Sequence, residues 1–256
     1  MAGLLASCGA SAAGAPAAAS VDSNVLELRQ YQIVDGKRDA FVSLFDRLFV
    51  ESQEALGMRV VGQFRDTSDP NRFVWLRSFP DMAAREKGLN AFYFGPVWKA
   101  HRDEANPMLE DNDNVLLLRP AAAGLGFGPA APRAEPGAAE PPRGTVVATI
   151  EYLWKKPDEG FTAFFAEHMK PAIEAAGLPV LAAYVPEESP NNFPRLPVRA
   201  DTKVLVWFTR VDGPAALQRL HRSLLWRSEV VPALHRFEER QPQQLLLDPT
   251  PRSALR

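Results

Sequence analysis

Sulfur is nearly absent from this sequence, which holds a single cysteine, Cys8, in 256 residues. One thiol makes no internal disulfide. It also excludes thiolate zinc sites, CxxC redox pairs and iron–sulfur clusters, each of which needs two or more sulfurs close together. Long apolar runs are missing as well: no stretch approaches the roughly 18 to 20 residues that cross a bilayer as a helix, so no transmembrane segment is expected. Charge of one sign is lacking too, with 29 basic against 31 acidic side chains and a net charge of −2. Without a long-range positive field there is nothing to gather a phosphate backbone, and nucleic acid is not an expected partner. Histidine is scarce. His101, His221 and His235 belong to no set of three ligands at metal-ligand spacing, the nearest approaches being single glutamates three residues on, Glu104 after His101 and Glu238 after His235. With neither HExxH nor a facial-triad pattern, no metal and no cofactor is expected. A GxSxG elbow, a Walker loop and a dinucleotide fingerprint are also missing.

What the chain does have is 46% apolar and 23% charged residues, the balance of a globular protein with room for two ordinary domains. Residues 1–24 are mostly Ala, Gly and Ser and read as a disordered leader. Within it, Leu5-Ala6-Ser7-Cys8 has the form of a bacterial lipobox, but only seven residues precede Cys8 and none is Lys or Arg. The charged and apolar regions of an export signal are therefore missing. The chain as written is expected in the cytoplasm; the rival expectation is an exported lipoprotein acylated at Cys8, translated from a start further upstream. Residues 120–144 are built almost entirely of Pro, Gly and Ala. Such a composition buries too little surface to offset its ordering entropy, so a flexible interdomain linker is expected there.

The two sides of that linker repeat one another. Residues 41–64 align without a gap on 161–184 at an offset of 120, matching Phe41 with Phe161, Phe45 with Phe165, Gly57 with Gly177 and Val60 with Val180. Val74-Trp75 and Ala83-Ala84 then match Val206-Trp207 and Ala215-Ala216 at an offset of 132, and the run Leu116-Leu117-Leu118 matches Leu245-Leu246-Leu247 at 129. Each half reads as strand, helix, strand, strand, helix, strand. In the first strand Leu26 and Leu28 alternate with Glu27, Arg29 and Tyr31, the period-2 sign of two unlike faces. Phe41, Leu44, Phe45, Leu48 and Phe49 follow at helical spacing. The next helix, from Asp81, is expected to break near Gly95-Pro96. Pro171 is expected to kink the first helix of the second half.

These elements predict an α+β protein: two tandem ferredoxin-like βαββαβ domains, residues 25–119 and 145–249, with a tail at 250–256. An antiparallel sheet with both helices on one side leaves its other face bare, and packing the two sheets against each other covers both.

The chain resembles the NIPSNAP family, a branch of the dimeric α/β-barrel superfamily. Glu27-Leu28-Arg29-Gln30-Tyr31 before Asp35-Gly36-Lys37, and Gly57-Met58-Arg59-Val60-Val61-Gly62, carry the likeness in the first half. In the second half it lies in residues 192–199, Asn-Phe-Pro-Arg-Leu-Pro-Val-Arg, followed by Val204-Leu205-Val206-Trp207-Phe208. The resemblance implies a tandem pair of ferredoxin-like domains closing into one intrachain barrel, and it hands over no catalytic residue set. Relatives in the wider superfamily include cofactor-free quinol monooxygenases and haem-binding or haem-degrading enzymes.

Six residues are ligand-pocket candidates. Glu27, Arg29 and Tyr31 share one face of the first strand; if Leu26 and Leu28 pack on helices, the polar set points into the barrel, where it would hold an anionic or phenolic ligand or form an interior ion pair. Trp75 and Trp207, paired by the repeat, would stack on a flat aromatic ligand or fill core. His168 takes the place of Leu48 on the expected buried stripe, as a base or as a hydrogen-bonded core histidine. The offset rises from 120 to 132 between Tyr184 and Val204, so the second half holds 12 more residues there, four of them proline. A stiff strap over an edge or mouth of the barrel is expected, with Arg195 and Arg199 pinning it or meeting an anion. Two function classes stay open: a small-molecule or protein-binding barrel of unproven chemistry, or a cofactor-free monooxygenase of an aromatic or quinol-type substrate. Further homo-oligomerisation is left open, and no catalytic residue is assigned.

Overall fold

The computed structural model describes residues 24–129, 131–200 and 202–256. The lipobox-like segment with Cys8 lies outside the described residues. The first half runs β1 (Val25–Ile33), α1 (Arg38–Leu48), α2 (Glu51–Glu54), β2 (Arg59–Asp66), β3 (Arg72–Phe79), α3 (Met82–Tyr93), α4 (Pro96–Ala105) and β4 (Leu109–Pro120). The second runs β5 (Thr145–Leu153), α5 (Phe161–Phe164), α6 (Lys170–Ala175), β6 (Val180–Pro186), β7 (Val204–Val211), α7 (Pro214–Arg222), α8 (Val231–Leu234) and β8 (Glu238–Pro249). Among the described residues no helix is long and apolar enough to cross a membrane.

Local chemistry explains the starts and stops. Buried Phe41, Val42, Leu44 and Phe45 make the apolar face of α1, with Asp39 in its first turn and Arg47 in its last, each favourably placed in the helix dipole. Asp81 caps α3 by accepting from the Ala84 N–H. The expected break falls between Tyr93 and Pro96, where the proline opens α4 at its first position. Gly57 and Gly177, equivalent in the repeat, take left-handed φ values of 80° and 81° and turn the chain out of each helix into the next strand.

The eight strands of the described residues close into one antiparallel barrel in the order β1-β3-β2-β8-β5-β7-β6-β4. The sequence offsets reappear in the ladders. Arg29 faces Trp75 as Thr149 faces Trp207, and Leu26 faces Leu118 as Val146 faces Leu247. The seams between halves are equivalent as well, with Phe64 opposite Pro249 and Tyr184 opposite Pro120.

The barrel interior is aliphatic and aromatic: Leu26, Leu28, Val74 and Leu76 meet Ile150, Val206, Phe208 and Leu247. This reverses the expected orientation of the first strand. Leu26 and Leu28 point inward, while Tyr31, Ile33, Phe73 and Trp75 lie under the helices of the first half. Period 2 separates two faces without saying which is inside. The polar set goes to the helix side because only there do side chains from helices reach its charges.

His168 also departs from expectation. Residues Phe165–Met169 form a π-helical turn just before Pro171, and Trp226–Val230 do the same before Pro232. Proline removes an i→i−4 hydrogen bond, and the wider turn rotates the following side chains off the 3.6-residue stripe. His168 is exposed and stacks on Phe164 at 5.4 Å between ring centroids.

The linker is tied down where composition suggested a free chain. The Ala121 and Ala183 N–H groups bond the carbonyls of Ala183 and Leu125 respectively, and the Phe127 N–H bonds the Tyr184 hydroxyl at 2.9 Å. The Phe127 ring joins the barrel-interior cluster against Phe208. Arg133 donates to Glu54 and to the carbonyls of Val60 and Arg252, while buried Arg252 grips Glu51 and the Asp46 carbonyl, so the tail is part of the fold. Phe127→Ala is expected to lower the unfolding free energy by about 3 kcal/mol. Urea titration checks it, and a truly free linker would show no change.

Candidate functional site

Under the helices of the first half, strand positions and helix positions converge on one buried charged cluster. β1 supplies Glu27, Arg29 and Tyr31, β3 supplies Trp75 and Arg77, α2 supplies Gln53 and α3 supplies Arg85. Glu27 is its hub. One carboxylate oxygen accepts from Arg29 at 3.0 Å and Arg77 at 2.6 Å, and the other accepts from Arg85 Nε at 2.8 Å. Burial alone would push the Glu27 carboxyl up, but the charges of Arg77, Arg29 and Arg85 outweigh it and hold the group well below the usual carboxylate range. Gln53 fills out the set, accepting from Arg77 at 2.7 Å and donating to the Phe49 carbonyl.

Arg29 Nε donates to the Tyr31 hydroxyl at 2.9 Å. Burial raises the Tyr31 phenol and Arg29 opposes the rise, with a net upward shift, so the phenol keeps its own hydrogen to donate. The guanidiniums of Arg29 and Arg77 lie over the Trp75 ring at 5.6 and 4.9 Å. Trp75 Nε1 and Arg29 Nη2 are buried without a partner among the described residues. Three buried guanidiniums stand against one buried carboxylate, leaving two positive charges in excess.

Above this floor is a cavity of about 60 Å³ walled by Tyr31, Phe45, Phe49, Trp75, Tyr93 and Trp98. It has room for a few waters and is smaller than the ~150 Å³ that accepts a benzene ring. Leu196, from the strap between β6 and β7, closes one side. Asn191 and Asn192 of the strap accept from Arg85 at 3.0 and 2.7 Å, and Asn192 donates to the Met82 carbonyl. The second half therefore completes the site of the first. Arg195 lies over the Phe94 ring at 5.0 Å, and Arg199 bonds the Val115 carbonyl through its backbone and Asn114 through its side chain.

Of the six pocket candidates, Glu27, Arg29, Tyr31 and Trp75 come together, on the helix side. Trp207 occupies the corresponding face of the second half and His168 the surface, so neither joins them. At the Trp207 position the charges are gone: the repeat places Val147, Thr149, Thr209 and Leu217 where the first half has Glu27, Arg29, Arg77 and Arg85. There Trp207 Nε1 donates to Glu151 at 2.9 Å. Desolvation pushes the Glu151 carboxyl up to about 7, the Trp207 bond opposing and Glu238 adding to the rise. Sequence reasoning missed Arg77, Arg85 and Gln53. The signal for Arg77 was there, since it shares the period-2 face of Trp75; Arg85 and Gln53 needed the packing of helices on the sheet. Among the described residues no group of three or more His, Cys, Asp or Glu is placed to hold a metal ion.

Comparison with known proteins adds a family match over part of the chain and a fold. The NIPSNAP family model matches residues 26–123. No curated protein sequence matches the chain. A protein described as a candidate monooxygenase from Lactobacillus acidophilus is similar in structure, with 9% identity, TM-score 0.56, and coverage of 89% of this chain and 96% of that one. An anthrone oxidase-like protein shares 11% identity at TM-score 0.52, covering 90% of this chain and 92% of its own. A NIPSNAP domain protein from Burkholderia xenovorans is 24% identical over 39% of this chain and 96% of its own, at TM-score 0.36. At these identities the first two establish a shared α/β-barrel fold and no activity.

Proposed function

We propose, for a chain whose residues 26–123 match the NIPSNAP family model, that the protein binds a small aromatic molecule carrying an acidic oxygen in the cavity over Tyr31 and Trp75. The observation that carries this reading is the buried excess of two positive charges at Glu27, Arg29, Arg77 and Arg85, beside the Trp75 indole N–H, which has no acceptor among the described residues. Buried unpaired donors and charge are costly unless a ligand or water satisfies them. The aromatic walls suit a flat ring, and the Trp75 N–H and Tyr31 O–H suit its oxygen. Entry requires the cavity to widen, with Leu196 of the strap and Trp98 as its movable walls. We also propose that each half is one ferredoxin-like unit of an internal duplication, a reading supported by the ladder registers that repeat under the sequence offsets.

Titration calorimetry with 1-naphthol and naphthalene tests the site. Saturable binding of 1-naphthol is expected, with the bound naphthol ionising at lower pH than the free one. Trp75→Phe, which keeps the ring and removes the N–H, is expected to weaken it about tenfold while leaving naphthalene unchanged. Equal binding of both probes, or no effect of the substitution, sinks the proposal. Cofactor-free oxygenation is the second reading. The same guanidiniums favour it, because an ionised quinol is the form that reduces oxygen. Oxygen uptake with 1,4-naphthohydroquinone, above the rate of its autoxidation and lost in Tyr31→Phe, would establish it.

A further inference from the structure

We propose that a groove on the far side of the strap binds a small zwitterion of the amino-acid type, holding its carboxylate at Arg199, its ammonium at Glu187 and its apolar side chain against a wall of prolines. The groove encloses about 520 Å³, inside the ~300–1,000 Å³ range of ligand sites. It lies at the seam of the two halves, between Leu117 of β4, Lys156–Asp158 beyond β5 and the strap.

Its charges are sorted by their partners. Lys156 pairs with Glu188 at 3.2 Å, and Asp158 pairs with Arg119 at 2.6 Å. Arg199 and Glu187 also line the groove, and among the described residues neither has an ionic partner. Among the described residues the Arg199 side chain bonds Asn114 at 3.4 Å, while Glu187 accepts the Ser189 N–H at 2.8 Å through one of its two oxygens. Their places are fixed by the backbone: Glu187 N–H bonds the Leu117 carbonyl at 2.9 Å and Arg199 N–H the Val115 carbonyl at 2.8 Å. Two residues along β4 separate these anchors, roughly 7 Å at the rise of a strand. One guanidinium and one carboxylate without an ionic partner among the described residues thus line the same groove, their backbones anchored at neighbouring carbonyls of one strand. A simple anion at Arg199 would be repelled by Glu187, and a simple cation at Glu187 by Arg199. A molecule with both charges satisfies both groups.

The rest of the wall is rigid and apolar. Pro157, Pro186, Pro190, Pro194 and Pro197 line it with rings that carry no N–H. Their fixed φ angles limit the entropy lost when a ligand docks. Val185 and Val198 extend the same surface.

Titration calorimetry on the full chain uses L-leucine and L-phenylalanine, 4-methylpentanoate, which lacks the ammonium, and 3-methylbutylamine, which lacks the carboxylate. At least one amino acid is expected to bind saturably, with both truncated probes about tenfold weaker than leucine or undetectable. Arg199→Gln and Glu187→Gln are each expected to weaken the amino acid about tenfold with the melting temperature unchanged, since both side chains are partly exposed. Absence of saturable binding by either amino acid overturns the proposal. So does equal affinity for leucine and 4-methylpentanoate, or affinity untouched by both substitutions.

Discussion

Glu27→Gln is expected to lower the unfolding free energy by about 3–5 kcal/mol, the cost of leaving buried guanidiniums without their counter-ion. For a chain of this size that corresponds to a drop in Tm of roughly 10 °C. Arg29, Arg77 and Arg85 all direct nitrogens at the one carboxylate, and all four side chains are fully buried. The second half supplies the control. Its uncharged version of the same layer, Val147, Thr149, Thr209 and Leu217, shows that the fold does not need the charges. The quadruple variant Glu27→Val, Arg29→Thr, Arg77→Thr, Arg85→Leu is therefore expected to regain most of the lost stability while losing 1-naphthol binding, because packed apolar groups commonly replace a buried ion network at little cost. Thermal unfolding of single and quadruple variants checks this. A quadruple variant less stable than Glu27→Gln would make the network structural first and functional second.

The second large effect is a pH dependence with the opposite sign to that of most carboxylates. Glu151 is raised in the folded chain from 4.5 to about 7, by burial first, with Trp207 opposing and Glu238 adding. The folded state thus holds this proton more tightly than the unfolded chain does. Its contribution is fully present below about pH 4.5 and is lost as pH rises through 7. Between those limits the loss comes to about 3 kcal/mol. Glu151→Gln, which keeps an acceptor for the Trp207 N–H, is expected to flatten the profile and to stabilise the protein at pH 8.5 while changing little at pH 4.5. Urea midpoints at the two pH values measure it, and parallel profiles for wild type and variant would place the titration elsewhere. Glu27 works in the other direction: its depressed value keeps its contribution intact above 4.5 and releases it only in strong acid.

Much of the scaffold was legible in the sequence, for reasons visible in particular residues. Leu26 and Leu28 alternating with Glu27, Arg29 and Tyr31 marked a strand with two faces, and Phe41, Val42, Leu44 and Phe45 marked the helix that covers one of them. The jump in offset marked the strap. The candidate site was only half legible: alternation groups Glu27, Arg29 and Tyr31 on one face, but it does not say which side of the sheet that face lines. His168 was misplaced because the π-helical turn before Pro171 breaks the periodicity by which a buried stripe is read. The linker was misjudged because composition weighs residues by type, whereas one ring, Phe127, finds a place in the barrel interior.

The sequence by itself determined the α+β class, the internal repeat and the pairing of Trp75 with Trp207, because all three follow from local spacing and from comparison of one half with the other. Tertiary structure alone decided which strand face became the barrel interior, that Arg85, Gln53 and Leu196 meet at the Tyr31 cavity, and that the strap of one half completes the site of the other. Those facts depend on contacts between positions more than 100 residues apart, such as Arg85 and Asn192. Closing eight strands into a barrel fixes such contacts all at once, and no periodicity within a single segment encodes them.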